Sequence, residues 1–226
     1  MWTVPETAAP VRRSLLRMSA EFSKPVRRPS EMFDRLFAGS DPAEISRAAH
    51  ATAVALLSRV RDEADADVVQ RLISFTARHG IDDIAELWSQ SPARSLPGSL
   101  WRLYLVQLSI HDDPETSSLL YERGRTELHS ADAVVAGAPT PAGPQELMAL
   151  IDTILHGAFT GDYAVALDRT ASFCRVVASG ATHLADDYEG TEPHRSSALT
   201  TRALRLSAFA ADLTAAARLW RRDALE

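Results

Sequence analysis

The chain has 226 residues, of which 46% are hydrophobic and 24% charged, and a formal net charge of −6. This is the composition of a folded globular chain rather than a disordered one, and its acidity excludes the broad basic surface that wholesale nucleic-acid binding needs. Cys174 is the only cysteine, so no internal disulfide exists; no apolar run approaches the ~18 residues of a membrane span, and the opening stretch has no continuous apolar segment of a secretion signal. The expected location is the cytoplasm. Lys24 is the only lysine among 24 basic residues. With the abundance of alanine, that bias suggests a GC-rich bacterial genome.

Residues 1–30 form an N-terminal arm. They hold four prolines (Pro5, Pro10, Pro25, Pro29) and six cations (Arg12, Arg13, Arg17, Lys24, Arg27, Arg28) against Glu6 and Glu21. Proline at this density breaks regular structure, so the arm is expected to carry one short helix near 11–22. It reads either as a tail lying on its own acidic body or as a contact for an acidic partner, protein or nucleic acid.

Residues 31–135 form an N-terminal helical region. Asp41, Pro42 and Glu44 give a capped helix start, and Ile45, Ala49, Thr52, Leu56 and Val60 keep helical spacing. A second helix is predicted from Asp65 to a stop at Gly80, and a third, short one in "IDDIAELWSQSP" ends before Pro92. "LPGSLWRLYLVQLSIHDD" reads as a largely buried helix, and Asp113–Pro114 restarts the next one. Residues 136–144, "AGAPTPAGP", read as a linker.

Residues 145–226 form a C-terminal helical hairpin region. Within it, Gly161–Leu167 resembles the turn and second helix of a tetratricopeptide repeat, with Gly161, Asp162, Tyr163 and Ala166 at matching places. The resemblance covers about thirty residues, lacks much of the first-helix pattern and does not recur at a period near 34. The segment is therefore read as a plain helical hairpin, and the family is not assigned.

The stretch that follows carries the strongest pattern. Leu199, Leu206, Leu213 and Trp220 recur every seven residues, with Ala203, Ala210 and Ala217 between them. The helix before it has a seam of small residues containing Leu167, Ala171, Cys174 and Ala178. Small side chains let two helix backbones approach while leucines fill the holes beside them, so the pair is predicted to pack as a long antiparallel hairpin. Both helices show a second apolar edge, Phe173, Val177 and Leu184 on one and Leu204, Ala208, Ala211 and Leu219 on the other. A helix apolar on two sides is expected to be covered on two sides, by the N-terminal half or by a second copy in a homodimer.

Chemistry is sparse. Phosphate-binding glycine loops, the nucleophile elbow and the metalloprotease helix motif are absent. Asp152/His156 and His183/Asp187 have the four-residue spacing of helix-borne metal ligands but read as helix-terminal caps. The doublets Asp82–Asp83, Asp112–Asp113 and Asp186–Asp187 flank predicted helix ends and lack the third acid of a magnesium motif. Cys174 reads as a small buried hydrophobe, and Trp88, Trp101 and Trp220 as core.

The expected fold is all-α, a bundle or array of about seven to nine helices. The expected role is a non-catalytic adaptor or regulatory protein working by protein–protein contact, with no cofactor, no metal and no nucleic-acid or membrane partner. Two alternatives stand beside it: a metal-dependent all-α enzyme on a small phosphorylated or polar substrate, using scattered groups such as Asp62, Asp112, Asp113, His156 and His183, and a protein tethered to nucleic acid or the transcription apparatus by its basic arm.

Overall fold

A computed structural model describes residues 41–57, 81–127 and 142–226. These residues form seven helices: α1 (Pro42–Leu56), α2 (Asp82–Trp88), α3 (Leu96–Asp112), α4 (Pro114–Glu127), α5 (Pro144–Leu155), α6 (Tyr163–Tyr188) and α7 (Pro193–Trp220). No strand occurs among them. All lie in one unit, Gly39–Glu226. The arm with Arg12, Arg13, Arg17, Lys24, Arg27 and Arg28, the helix predicted from Asp65 to Gly80, and most of the predicted linker fall outside the described residues.

Local chemistry sets the helix ends. Side chains of Asp41, Ser95, Asp113 and Asp162 accept from backbone N–H groups in the first turns of α1, α3, α4 and α6. These bonds satisfy donors that a helix cannot satisfy itself. Five helices carry proline within their first two positions, where its missing N–H costs nothing. α5 stops at Gly157, whose φ of 65° reverses the chain, so the turn lies earlier than Gly161. α7 closes in the same way at Asp223, φ 51°, with Ala224 N–H donating back to the Leu219 carbonyl at 3.0 Å. That reversal buries Leu225 and brings the Glu226 backbone oxygen to 2.6 Å from the Leu96 N–H at the start of α3.

α6 lies between α7 and α4. α6 and α7 form the most extensive helix pair of the unit and run antiparallel. Their partners retreat along one helix as they advance along the other: Tyr188 with Arg195, Arg175 with Thr214, Asp168 with Arg221, Tyr163 with Trp220. The connection is only Glu189–Glu192, because α7 begins at Pro193, earlier than the leucine pattern alone marks.

On its other side α6 crosses α4 at two glycines. A methyl group on Gly124 would stand 1.8 Å from the Val176 carbonyl oxygen, and one on Gly180 would stand 1.9 Å from that of Leu120. The two backbones touch, and only hydrogen fits between them. Tyr121 stacks on Phe173 beside the crossing, with ring centroids 5.7 Å apart.

α3 ties this three-helix layer to the rest. Its Ser99 shares a hydrogen bond with the Tyr163 hydroxyl of α6 at 2.8 Å, and Gln107 donates to Asp152 of α5 at 3.4 Å. The Tyr104 hydroxyl donates to Asp82 of α2 at 2.9 Å, and the fully buried Trp88 of α2 donates from Nε1 to Thr52 of α1. The described helices on either side of the predicted linker therefore share a core. Trp101 departs from the core reading: it is half-buried and stacked on Tyr104, with centroids 5.4 Å apart.

Replacing Gly180 by alanine forces α4 and α6 apart and is expected to cost about 3 kcal/mol, as overpacking of a tight core contact does. Thermal unfolding of Gly180→Ala checks this. The expected fall in Tm is about 6–12 °C for a chain of this size, and an unchanged Tm would show that the helices do not cross there.

Candidate functional site

The residues singled out in the last two helices are brought together as one seam. On α7, Leu199, Ala203, Leu206, Ala210, Leu213 and Ala217 are all buried, and on α6 so are Leu167, Ala171, Cys174 and Ala178. Trp220 is half-buried, with its edge against the Tyr163 ring at 5.0 Å. No side chain in this seam is ionised at neutral pH. Burial pushes the Cys174 thiol up to about 12, with neighbouring Arg175 opposing the rise. A thiol held protonated is a packing group, not a nucleophile.

α7 is held at a second angle by polar bonds to α3 and α4. Asp212 is the only acid in α7, and it meets Arg102 of α3 through Nε at 3.0 Å and Nη2 at 2.9 Å, with Arg94 at 3.6 Å. Arg102 also donates to the Gly98 carbonyl and lies over the Phe209 ring. Further along, Arg202 donates to Ser109 and Ser117 at 3.4 and 3.2 Å. Its burial lowers its pKa, against the pull of Asp113. Sequence reasoning missed the first contact, for which the one available signal is that Asp212 is the lone acid of α7. Nothing in the sequence marked two serines as partners of Arg202.

With α6 on one flank and α3 on another, the remaining face of α7 looks outward. Leu204 is 68% exposed, and Ala208 and Ala211 are exposed too. Within the single chain, the described helices of the N-terminal half do not cover the second edge of α7. On α6 Phe173 and Val177 are buried and Leu184 is half-buried, whereas on α7 Leu204, Ala208 and Ala211 are exposed and Leu219 is half-buried. The reason is geometric: α7 sits at the margin of the helix layer, and its two neighbours occupy only its inner sides. From Thr201 to Ala215 the outward line Thr201, Leu204, Ala208, Ala211 and the half-buried Ala215 contains no charge, with exposed Arg205 beside it and exposed Arg218 beyond it. Solvent-facing helix surfaces are normally charged or polar, so an uncharged outer stripe of this length is unusual.

The other candidates do not converge. His156 and Asp152 contact each other at 3.3 Å on the surface of α5, and Asp187 is held by Arg123 of α4 at 3.0 Å, apart from His183. Asp82 accepts from Tyr104, and Asp113 caps α4. Among the described residues no three His, Cys, Asp or Glu side chains group closely enough to hold a metal ion, and no helix is long and apolar enough to cross a membrane. Asp162, in the stretch that resembles a tetratricopeptide repeat, caps α6, and Tyr163 is buried beneath Trp220.

No protein-family model matches the chain, and no curated protein or solved structure matches it significantly.

The seam makes a chemical prediction. At pH 8 the native protein is expected to leave Cys174 unlabelled by a disulfide-exchange reagent such as DTNB, and guanidinium is expected to release one reactive thiol per chain. Rapid native labelling would mean that α6 and α7 stand apart at that level.

Proposed function

We propose that this chain is a non-catalytic helical adaptor or regulatory protein that works by contacting another protein through the outer face of α7. The observation that carries this reading is the exposed, uncharged stripe Thr201–Leu204–Ala208–Ala211 on a helix anchored to α6, α3 and α4. Leu204 projects from it like a single anchor among small residues. Alanines on either side would let a partner helix approach closely, as they do inside the molecule. The anchoring supports the same reading. A face fixed by the seam, by Asp212 and by Arg202 is presented to a partner already ordered, so little entropy is lost in docking.

The polar side chains described cap helix ends or tie helices together, which supports a contact protein. Solution in the cytoplasm of a bacterium fits the low cysteine content and the arginine bias.

Affinity capture with the full chain from its native host, followed by mass spectrometry, tests the reading. Wild-type protein is expected to recover a stoichiometric partner that Leu204→Glu does not. Since Leu204 is exposed, the substitution is expected to change stability by no more than about 0.5 kcal/mol, which circular dichroism can verify. Recovery of no partner that depends on Leu204 would overturn the proposal.

A further inference from the structure

The geometry points to an acidic amphipathic helix of another protein as the occupant of the α7 outer face, and this inference rests on the adaptor reading above. The charges around the stripe carry it. Up to Trp220 α7 contains one acid, Asp212, already bound to Arg102, and the next, Asp223, lies in the turn that follows. Arg195 is engaged by Glu192 and Tyr188, Arg202 by Ser109 and Ser117, and Arg221 by Asp168. Three arginines are left. Arg205, Arg218 and Arg222 are exposed and make no ion pair with the described residues.

Their places follow from helical spacing. Arg205 adjoins Leu204 on one edge of the stripe. Arg218 lies two turns beyond Ala211 on the line Leu204–Ala211–Arg218, and Arg222 follows in the turn after Trp220, beside Asp223. An uncharged lane whose rim carries the arginines Arg205 and Arg218, its acid Asp212 being bound by Arg102, is a local inversion in a chain whose net charge is −6. Guanidinium groups at the edge of an apolar contact select carboxylates and steer them in.

The small residues of the lane set the partner's shape. Ala208, Ala211 and Ala215 admit a helix at close range but no bulky loop, and Leu204 needs a hole between small residues opposite. A second copy of this chain supplies such a surface, but along Leu204–Arg218 its exposed charges are the same arginines, which would face their own kind. A partner helix with an Ala/Leu face and Asp or Glu along its flanks supplies both.

A library of amphipathic helical peptides, randomised on both faces and selected on the immobilised full-length chain, tests this. Enriched peptides are expected to carry Asp or Glu beside a small apolar stripe. They are expected to lose about five- to tenfold in affinity toward the Arg205→Glu/Arg218→Glu/Arg222→Glu variant at low salt and much less at high salt, as rim charges do. Leu204→Glu is expected to abolish binding. Enrichment of basic or neutral helices, or no enrichment that Leu204→Glu removes, overturns the inference. Sedimentation equilibrium showing a dimer that Leu204→Glu dissociates also overturns it, by making a second copy the occupant. The adaptor reading fails separately: a Leu204-dependent host partner that contacts α7 through a basic or neutral segment sinks the acidic helix alone, whereas absence of any such partner sinks both.

Discussion

The approach of α6 to α7 along a lane of small side chains is the constraint on which the rest of the molecule depends. Alanine loses no rotamer freedom on burial, and its size lets the axes come close enough for many weak dispersion contacts to accumulate. Leu199, Leu206 and Leu213 fill the spaces that alanines alone would leave. The ends are closed by contacts of different kinds, Tyr163 edge-on to Trp220 at one and Arg195 over the Tyr188 ring at the other. Register along so uniform a lane is weakly fixed by alanine, and it is these end contacts, with Arg175–Thr214 and Asp168–Arg221, that fix it.

Once the register is set, orientation follows. Asp212 is turned to Arg102 and Arg202 to the serines of α3 and α4, so the opposite face of α7 has nowhere to point but outward. The same device recurs on the other side of α6, where Gly124 and Gly180 bring α4 to backbone contact. α6 is thus held on two sides by close approach rather than by bulky side chains. Such a layer has little room to rearrange, because packed interiors give way in discrete steps. That stiffness suits a protein whose work is to present a surface. The inner and outer faces of α7 share the large-and-small pattern, and the difference between them is occupancy.

The helices were legible because their signals are local. Asp41, Asp113 and Asp162 cap where an aspartate before a helical pattern is expected to cap, and the heptad of Leu199, Leu206 and Leu213 is buried as its spacing implies. Relations between helices were harder to read. Gly124 and Gly180 lie 56 positions apart, and a glycine inside a helix signals close approach without naming the other backbone. The outward orientation of Leu204 was hidden for a related reason: an apolar edge looks the same in sequence whether a neighbour covers it or not. Trp101 shows that limit in another form, since a large aromatic at an apolar helical position sits half in solvent against Tyr104. The rim arginines that have no ion pair among the described residues are indistinguishable in sequence from Arg202 and Arg221, which have partners.

The central claim, that one alanine face of α7 is packed against α6 and the other is free, is tested most directly by comparing added bulk on the two faces. Equilibrium unfolding in urea would be measured for Ala210→Leu and Ala217→Leu on the inner face and for Ala208→Leu and Ala211→Leu on the outer. The inner pair is predicted to lose about 2–3 kcal/mol each, as overpacking does, and the outer pair to stay within about 0.5 kcal/mol of wild type. Inner variants as stable as the outer ones would contradict the account.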